Sequence, residues 1–181
     1  MTSPAKSQRS WILGLIALVI IALDQYSKHL IRSTVPIYSV WDPIPGLGRL
    51  LTFTHLENTG AAFGMFTDTN TLFAILALIV SAVILFFGRQ FVQHHWLLPI
   101  AFGMQVGGAL GNVIDRVTRG GVTDFIDVHF WPVFNVADSS VVVGTTLLAI
   151  YALFLDRGQP ETTSVNEASA AGEASASQES V

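Results

Sequence analysis

The sequence predicts an all-α membrane protein with four transmembrane helices, and two observations lead to this prediction. The first is composition: 51% of the 181 residues are hydrophobic and 12% are charged, whereas a soluble domain typically has about 25% charged residues. The second is the pattern of four long apolar segments along the chain. A hydrocarbon core about 30 Å thick requires roughly 20 helical residues. Each segment reaches this length once its less apolar ends are included.

The four segments are separated by three connections. They run over Trp11–Leu23, Leu72–Phe87, Trp96–Gly111 and Ser139–Leu155. The first can continue as a helix through Asp24–Ile31. We therefore expect four spans in a chain long enough for a single domain.

The N-terminal flank bears on both processing and orientation. Lys6 and Arg9 precede an apolar run, as in a signal peptide, but no small-x-small cleavage site follows in Ile21-Ala22-Leu23-Asp24-Gln25. We therefore expect the first segment to remain as a membrane helix. With both termini in the cytoplasm, four basic residues lie inside and five outside, so their count does not decide the orientation. The basic flank of the first helix favours both termini inside.

Residues 1–157 are predicted to form the membrane domain, and residues 158–181 a separate acidic tail. The tail is rich in Ala, Ser and Glu, a composition typical of disorder. Its four glutamates account for the formal net charge of −4. Cysteine is absent from the sequence, which excludes disulfides and thiolate metal sites. Nothing in the charge pattern predicts a nucleic-acid partner.

The first and third connections carry more than a turn requires. The first is about forty residues long, beyond ordinary connection lengths. It contains the strand-like segment Leu50–Leu56 and the apolar segment Ala61–Phe66, which is suited to the membrane interface. The third, Val117–Ala137, is rich in polar and aromatic residues. With both termini inside, these two connections share the outer face of the membrane.

The third segment carries polar residues, which are costly inside a membrane and indicate function. An advance of about 100° per residue places five residues on one helix face, namely Gln105, Gly108, Asn112, Asp115 and Arg116. An adjoining face has Gly103, Gly107 and Gly111 at i, i+4 spacing, which permits close helix packing. Asp115 has two interpretations: it belongs to the site, or it marks where the helix meets water.

Asp24 and Lys28 form an i, i+4 pair in the first span, with the acid N-terminal to the base. This order is the favourable one for an ion pair on a helix. We expect the pair to be mainly structural.

Asp124 and Asp138 are the candidate catalytic residues. Taken alone, Asp138 is typical of a helix N-cap and Asp124 of an acidic loop residue. Both, however, lie beside the mouth of a bundle that carries an inward polar stripe, which predicts a shared site. Two carboxylates held close together cannot both ionise easily, so one keeps a proton. The ionised partner can then take a proton from water while the protonated one polarises an amide carbonyl.

Other hydrolytic sites are less well supported by the sequence. His55 and His129 are available for a Ser-His-Asp triad, but no serine lies in a nucleophile motif. Asp124, Asp127 and His129 could ligate zinc, but no paired-histidine motif accompanies them. We predict a site without metal or cofactor. Whether Asp127 and His129 tune the two aspartates or face water stays open.

Four blocks of this sequence resemble the bacterial lipoprotein signal peptidases, also called signal peptidase II, and the likeness covers roughly residues 10–157. The blocks are Asp24-Gln25-Tyr26-Ser27-Lys28, Glu57-Asn58-Thr59-Gly60-Ala61-Ala62-Phe63-Gly64, Gly111-Asn112-Val113-Ile114-Asp115-Arg116 with Thr123-Asp124-Phe125, and Phe134-Asn135-Val136-Ala137-Asp138-Ser139. Their order, spacing and placement relative to the four spans all match, and together they are highly specific.

The resemblance implies roles for individual residues. Asp124 and Asp138 match the aspartyl dyad of the family, and Asp24 and Lys28 match a pair that supports its fold. Four further residues match those that line the site or position substrate: Asn58, Asn112, Arg116 and Asn135.

The resemblance also implies a fold, a substrate and a location. The fold is a four-helix bundle whose first connection forms a small extracytoplasmic β-cradle and an interfacial helix. The enzyme would remove signal peptides from prolipoproteins that carry diacylglycerol on a cysteine, cutting just before that cysteine. It would lie in the bacterial cytoplasmic membrane among membrane lipids, with its active site at the extracytoplasmic face. Globomycin-type inhibitors would occupy the same site.

Two other classes of function fit the residues alone. Buried Asp, Asn and Arg also build proton relays, so a small proton-coupled transporter is the alternative. It gives no reason for both aspartates to lie near one membrane face. A non-enzymatic scaffold that binds partner helices on its glycine face leaves the three asparagines unexplained.

Overall fold

The computed structural model describes residues 9–44, 46–60 and 69–156, and this part of the chain contains four long helices and a small sheet. The helices are α1 (Ser10–Thr34), α2 (Thr69–Phe91), α3 (Leu97–Arg119) and α4 (Val136–Ile150), and α4 continues into a π-helical turn, Tyr151–Leu155. All four are long and apolar enough to cross a membrane, which confirms the predicted number of spans. The predicted interfacial segment Ala61–Phe66 and the tail 158–181 lie outside the described residues.

Helix α3 extends eight residues beyond Gly111, where the apolar pattern ends. Polar side chains in its last two turns make contacts inside the protein, so polarity there does not mark a helix end. Gly120 terminates the helix in a left-handed conformation (φ 79°), and its N–H donates to the carbonyl of Arg116 at 3.1 Å. This is the usual role of glycine at a helix C-terminus, because glycine has no Cβ to clash there.

The sheet consists of three antiparallel strands in the order β1-β2-β3. They are β1 (Val40–Trp41), β2 (Thr52–Asn58) and β3 (Val122–Asp127). Strand β2 begins two residues later than predicted from its β-forming residues. Strand β3 was not predicted, because polar residues and glycines next to it are typical of a loop.

The sheet packs against the end of α1. Phe125 of β3 is buried with Ile31 and Val35, and Phe53 of β2 packs against the same cluster. In the β2–β3 register Leu56 lies opposite Asp124, and Asn58 lies opposite Val122. The core under the sheet therefore fixes the position of Asp124 relative to the bundle.

Helix α3 is central in the bundle and contacts α1, α2 and α4. Gly103 and Gly107 face α1 so closely that a Cβ on either residue would lie 2.8 Å from a backbone carbonyl oxygen of α1, those of Leu13 and Ala17 respectively. Gly108 is in similarly tight contact with Ala137 of α4. The predicted role of the glycine face in close helix packing is confirmed.

Substitution of Gly107 by alanine is expected to destabilise the protein by about 1–3 kcal/mol, the usual cost of overpacking a close contact. The measurement is the unfolding midpoint of the purified protein in detergent. Gly14→Ala in α1 is the matched control, because a Cβ at Gly14 has no atom within 4 Å. Equal midpoints for the two variants would contradict close packing of α3 on α1.

Candidate active site

Asp124 lies in the middle of β3, and only 5% of its surface is exposed. Both of its carboxylate oxygens accept hydrogen bonds from asparagine amides. Asn58 Nδ2 donates to Oδ2 at 3.0 Å, and Asn135 Nδ2 donates to Oδ1 at 2.7 Å. Asp124 is therefore a buried strand residue with fixed partners rather than an acidic loop residue.

Asp138 lies in the first turn of α4 but does not cap it. The N-cap is Asn135, whose side-chain oxygen accepts from the Asp138 N–H at 3.0 Å, and Asp138 Oδ2 in turn accepts from the Asn135 N–H at 3.2 Å. This reciprocal pair is a capping box. The interpretation of Asp138 as the N-cap was wrong, since the cap lies three residues earlier. Acidic residues are favoured at both the N-cap and the N3 position, so the sequence does not distinguish them.

Asn135 joins the two aspartates. Its side chain is fully buried, and its Nδ2 donates both to Asp124 and to Asn112 Oδ1, the latter at 3.2 Å. Asn112 Nδ2 donates to Asp138 Oδ1 at 2.8 Å. The structure thus brings five of the predicted site residues into one hydrogen-bonded network: Asp124, Asp138, Asn58, Asn112 and Asn135.

Arg116 adds a positive charge beside this network. Its Nη1 is 3.4 Å from the carbonyl oxygen of Asn112, and its guanidinium lies 5.6 Å from the centroid of the Phe73 ring. The charge of the guanidinium interacts favourably with Asp138 and Asp124. Its buried Nε has no hydrogen-bond partner among the described residues. Arg116 therefore lies at the site with its Nε–H donor unpaired among the described residues.

Asp24 and Lys28 form the predicted ion pair, with 2.8 Å between Nζ and Oδ2. Lys28 Nζ is also 2.9 Å from Asp115 Oδ2, and all three side chains are fully buried. Asp115 therefore continues the glycine face of α3, four residues after Gly111, instead of belonging to the polar stripe or marking the water boundary. The i, i+4 spacing from Gly111 to Asp115 indicates this position in the sequence, but the sequence interpretation did not use it.

Three polar residues outside the predicted set support the buried ion cluster. Gln25 Nε2 donates to the carbonyl of Gly111 at 3.0 Å, Arg32 Nη1 is 3.6 Å from Asp115 Oδ1, and the Thr123 N–H is 3.4 Å from Asp115 Oδ2. Gln25 and Thr123 lie inside the sequence blocks given above. Their positions directly next to Asp24 and Asp124 in the sequence could have indicated that they lie near the site.

The pKa of Asp124 depends on its burial and on the charged and polar groups around it. Burial raises the pKa of Asp124, and the nearby charge of Asp138 raises it further. The amide donors of Asn58 and Asn135 and the charge of Lys28 lower it, but burial outweighs them and the pKa is raised overall. The carboxyl group of Asp124 is thus biased towards holding a proton.

Asp127 and His129 form hydrogen bonds with residues outside the network of Asp124 and Asp138. Asp127 accepts from Thr54 Oγ1 at 3.2 Å and from the His129 N–H at 2.8 Å, and His129 Nε2 is 2.9 Å from the carbonyl oxygen of Gly48. In the described parts of the chain, no group of three or more His, Asp or Glu side chains is arranged to hold a metal ion. The zinc alternative built on Asp124, Asp127 and His129 therefore has no geometric support.

A cavity of about 460 Å³ flanks Asp138 on the outer side of α4. Its walls are mainly apolar and come from the β3–α4 connection and from α4: Val128, Phe130, Trp131, Phe134, Asp138, Ser139, Val142 and Val143. Phe130 and Trp131 are strongly exposed, as is Val142 one turn below Asp138. The cavity therefore extends from the carboxylate of Asp138 towards an exposed apolar surface of α4.

Comparison with known proteins identifies the family. A family model described as signal peptidase (SPase) II matches residues 16–154, a range that includes Asp124, Asp138 and the buried ion cluster. The chain belongs to the signal peptidase II family. The predicted resemblance is confirmed.

Individual relatives of signal peptidase II agree with this assignment. The lipoprotein signal peptidase of Acinetobacter baumannii (strain SDF) is 42% identical over 159 residues, covering 83% of this chain and 88% of the relative. That of Moorella thermoacetica is 37% identical over 145 residues, covering 80% and 94%. A bacterial membrane enzyme structure solved by the in meso method at 1.9 Å resolution superimposes with a TM-score of 0.72 at 35% identity, covering 78% of this chain and 92% of that one.

Removal of the Asn58 amide in Asn58→Ala is expected to raise the pKa of Asp124 further, because the lost hydrogen bond stabilises the ionised carboxylate. The measurement is a carboxyl titration by 13C NMR of aspartate-labelled protein in detergent. Thr59→Ala is the control, since no hydrogen bond joins Thr59 to Asp124 in the described residues. An unchanged or lowered pKa in Asn58→Ala would contradict the arrangement.

Proposed function

We propose that this chain is an intramembrane aspartyl endopeptidase that removes signal peptides from diacylglyceryl-modified prolipoproteins, cutting before the lipidated cysteine. The observation that carries the proposal is that the carboxylates of Asp124 and Asp138 both accept from Asn135, from its Nδ2 and its backbone N–H respectively, at the end of the membrane spans. One partner comes from the sheet and the other from a membrane helix, so the pair lies where a membrane-anchored peptide meets the protein surface.

The two aspartates take different roles in hydrolysis. Asp138 lies in the first turn of α4, where the free N–H groups and the helix dipole stabilise negative charge. We assign it the ionised state and assign the proton to Asp124, whose pKa is raised by burial and by the charge of Asp138. Because the two carboxyl groups are coupled, only a measurement that resolves each of them can test this assignment.

The reaction proceeds in two balanced steps. Asp138 removes a proton from water, the resulting hydroxide attacks the scissile carbonyl carbon, and Asp124 donates its proton to the carbonyl oxygen, which yields a gem-diol. Asp138 then gives its proton to the amide nitrogen as the C–N bond breaks, and one hydroxyl of the diol returns a proton to Asp124. The dyad ends in its starting state, and the chemistry requires no metal or cofactor.

The surrounding polar residues position the dyad and the substrate. Asn58 and Asn135 hold Asp124 from two sides, and Asn112 holds Asp138. Arg116 has a buried Nε without a partner in the described residues, which suits it to receive a peptide carbonyl or a lipid ester oxygen. Preorganised donors of this kind stabilise charge that develops during reaction.

The substrate assignment combines the relatives and the cavity beside Asp138. Relatives at 34–42% identity are named lipoprotein signal peptidases. The cavity of about 460 Å³ is apolar except at Asp138 and Ser139, and it opens towards the lipid-facing side of α4. An acyl chain attached next to the scissile bond can enter it from the bilayer while the peptide stays at the carboxylates. Globomycin-type inhibitors are expected to compete for the same site.

The location follows from this substrate. A lipid-modified cysteine anchored in the outer leaflet reaches the dyad only if the sheet and the starts of α2 and α4 lie at the extracytoplasmic face of the cytoplasmic membrane. Since the number of spans is even, both termini then lie in the cytoplasm.

Asp124→Asn and Asp138→Asn are each expected to lower the rate of signal-peptide release by about 10²–10⁴-fold, the usual contribution of a general acid or base. The assay incubates purified protein with a diacylglyceryl-modified prolipoprotein and follows the released peptide. Asp127→Asn is the matched control on the same strand and is expected to retain activity. If both dyad variants cut as well as the unmodified protein, the dyad is wrong.

Val142→Trp, which places a large ring in the cavity, is expected to raise KM for the lipidated substrate about tenfold with little change in kcat, because it removes binding that is equal in the ground state and the transition state. Leu153→Trp, at a similarly exposed position near the other end of the span, is the control. A KM that is equal in the two variants would show that the acyl chain does not use the cavity.

A further inference from the structure

The ammonium group of Lys28 is buried and uses its three protons on three partners. Nζ lies 2.8 Å from Asp24 Oδ2, 2.9 Å from Asp115 Oδ2 and 2.8 Å from Asn112 Oδ1. The first two contacts form an ion cluster, which by itself accounts for a role in folding. The third contact reaches a residue that holds Asp138.

The contact with Asn112 fixes which way its amide points. Asn112 Oδ1 accepts from Lys28 and from Asn135 Nδ2, while Asn112 Nδ2 donates to Asp138 Oδ1. A flipped amide would place its NH₂ group against two donors and its oxygen against a carboxylate. Since ammonium has no acceptor, Lys28 sets the orientation by its chemical type as well as its position.

A second connection runs from Lys28 to the backbone of α4. Asp24, which shares the ammonium, accepts from the Ala137 N–H through Oδ1 at 3.0 Å. Ala137 directly precedes Asp138. The main chain before Asp138 and the carboxylate of Asp138 are therefore both held by groups that bind Lys28.

We infer that Lys28 is a positioning residue for Asp138, which acts by locking the Asn112 amide with its Nδ2 towards the carboxylate and by holding the start of α4 through Asp24. This inference rests on the proposed function, since it assigns Lys28 to the same reaction. A purely structural ion pair requires only a positive charge and a side chain of suitable volume at residue 28. The positioning role also requires a hydrogen-bond donor at the end of that side chain.

The test separates the donor from the charge and the packing. Lys28→Met/Asp115→Asn removes one positive and one negative charge, so the cluster keeps its net charge. Lys28→Gln/Asp115→Asn has the same charge and a side chain of closely similar length, but it retains an N–H donor for Asn112. The single variant Asp115→Asn is the reference, because it leaves Lys28 and its contact with Asn112 in place.

The Met double variant is expected to have a kcat about 10–100-fold below that of Asp115→Asn, by analogy with the loss found when a residue that orients a metal ligand is removed, with KM within about twofold. The acidic limb of its kcat–pH profile should shift to higher pH relative to Asp115→Asn. The reason is that the ionised dyad loses an oriented hydrogen-bond donor and a nearby positive charge. The charged groups acting on this dyad besides Lys28 include Arg116, which all variants retain. The Gln double variant should recover at least about threefold in kcat over the Met variant.

Rates are normalised to the folded fraction of each variant. A Met double variant with kcat equal to that of Asp115→Asn, or with kcat equal to that of the Gln variant, would overturn the inference. If neither double variant folds, the inference is tested on the unmodified protein. The side-chain NH₂ of Asn112 is then expected to show slow hydrogen exchange by NMR. Rapid exchange would contradict a locked amide. Failure of the unmodified protein to cut the lipidated substrate contradicts the proposed function instead.

Discussion

The buried ammonium of Lys28 is the constraint on which the arrangement of the helices and the site depends. A charge with no exposure to solvent is costly unless ionised and hydrogen-bonded partners surround it. Asp24 from its own helix and Asp115 from α3 supply the opposite charges. Because Asp24 also accepts from the first turn of α4, the ion cluster joins three membrane helices at one level. Close contact of α3 with α1 at the glycine face allows these short side chains to meet.

The site forms where this cluster meets the small sheet. The sheet carries Asp124, α4 carries Asp138, and Asn135 connects them at the residue that also caps α4. A helix cap stabilises local structure by about 0.5–2 kcal/mol, and here the same side chain also donates a hydrogen bond to Asp124. In the proposed mechanism, helix stability and catalysis therefore depend on the same asparagine. The apolar cavity beside Asp138 lies next to this network and does not interrupt its hydrogen bonds.

Much of this arrangement was predictable from the sequence, and the failures have physical causes. The lengths of the apolar segments predicted the four spans, and the block pattern predicted the residues that the structure joins in one hydrogen-bonded network. Strand β3 was missed because its pairing with β2 is a long-range contact that local residue preferences do not encode. Asp115 was misplaced because a charged residue near a helix end has the same local signature whether it faces water or a buried lysine. The cap at Asn135 was missed because position N3 also favours acidic residues.

The claim that Asp124 and Asp138 share one proton, held by Asp124, is open to a direct measurement. Infrared spectra of protein labelled with 13C in its aspartate carboxyl groups report protonated and ionised forms separately. The account predicts a protonated-carboxyl band near neutral pH that disappears in Asp124→Asn and persists in Asp138→Asn. A band that persists in Asp124→Asn and disappears in Asp138→Asn would contradict it.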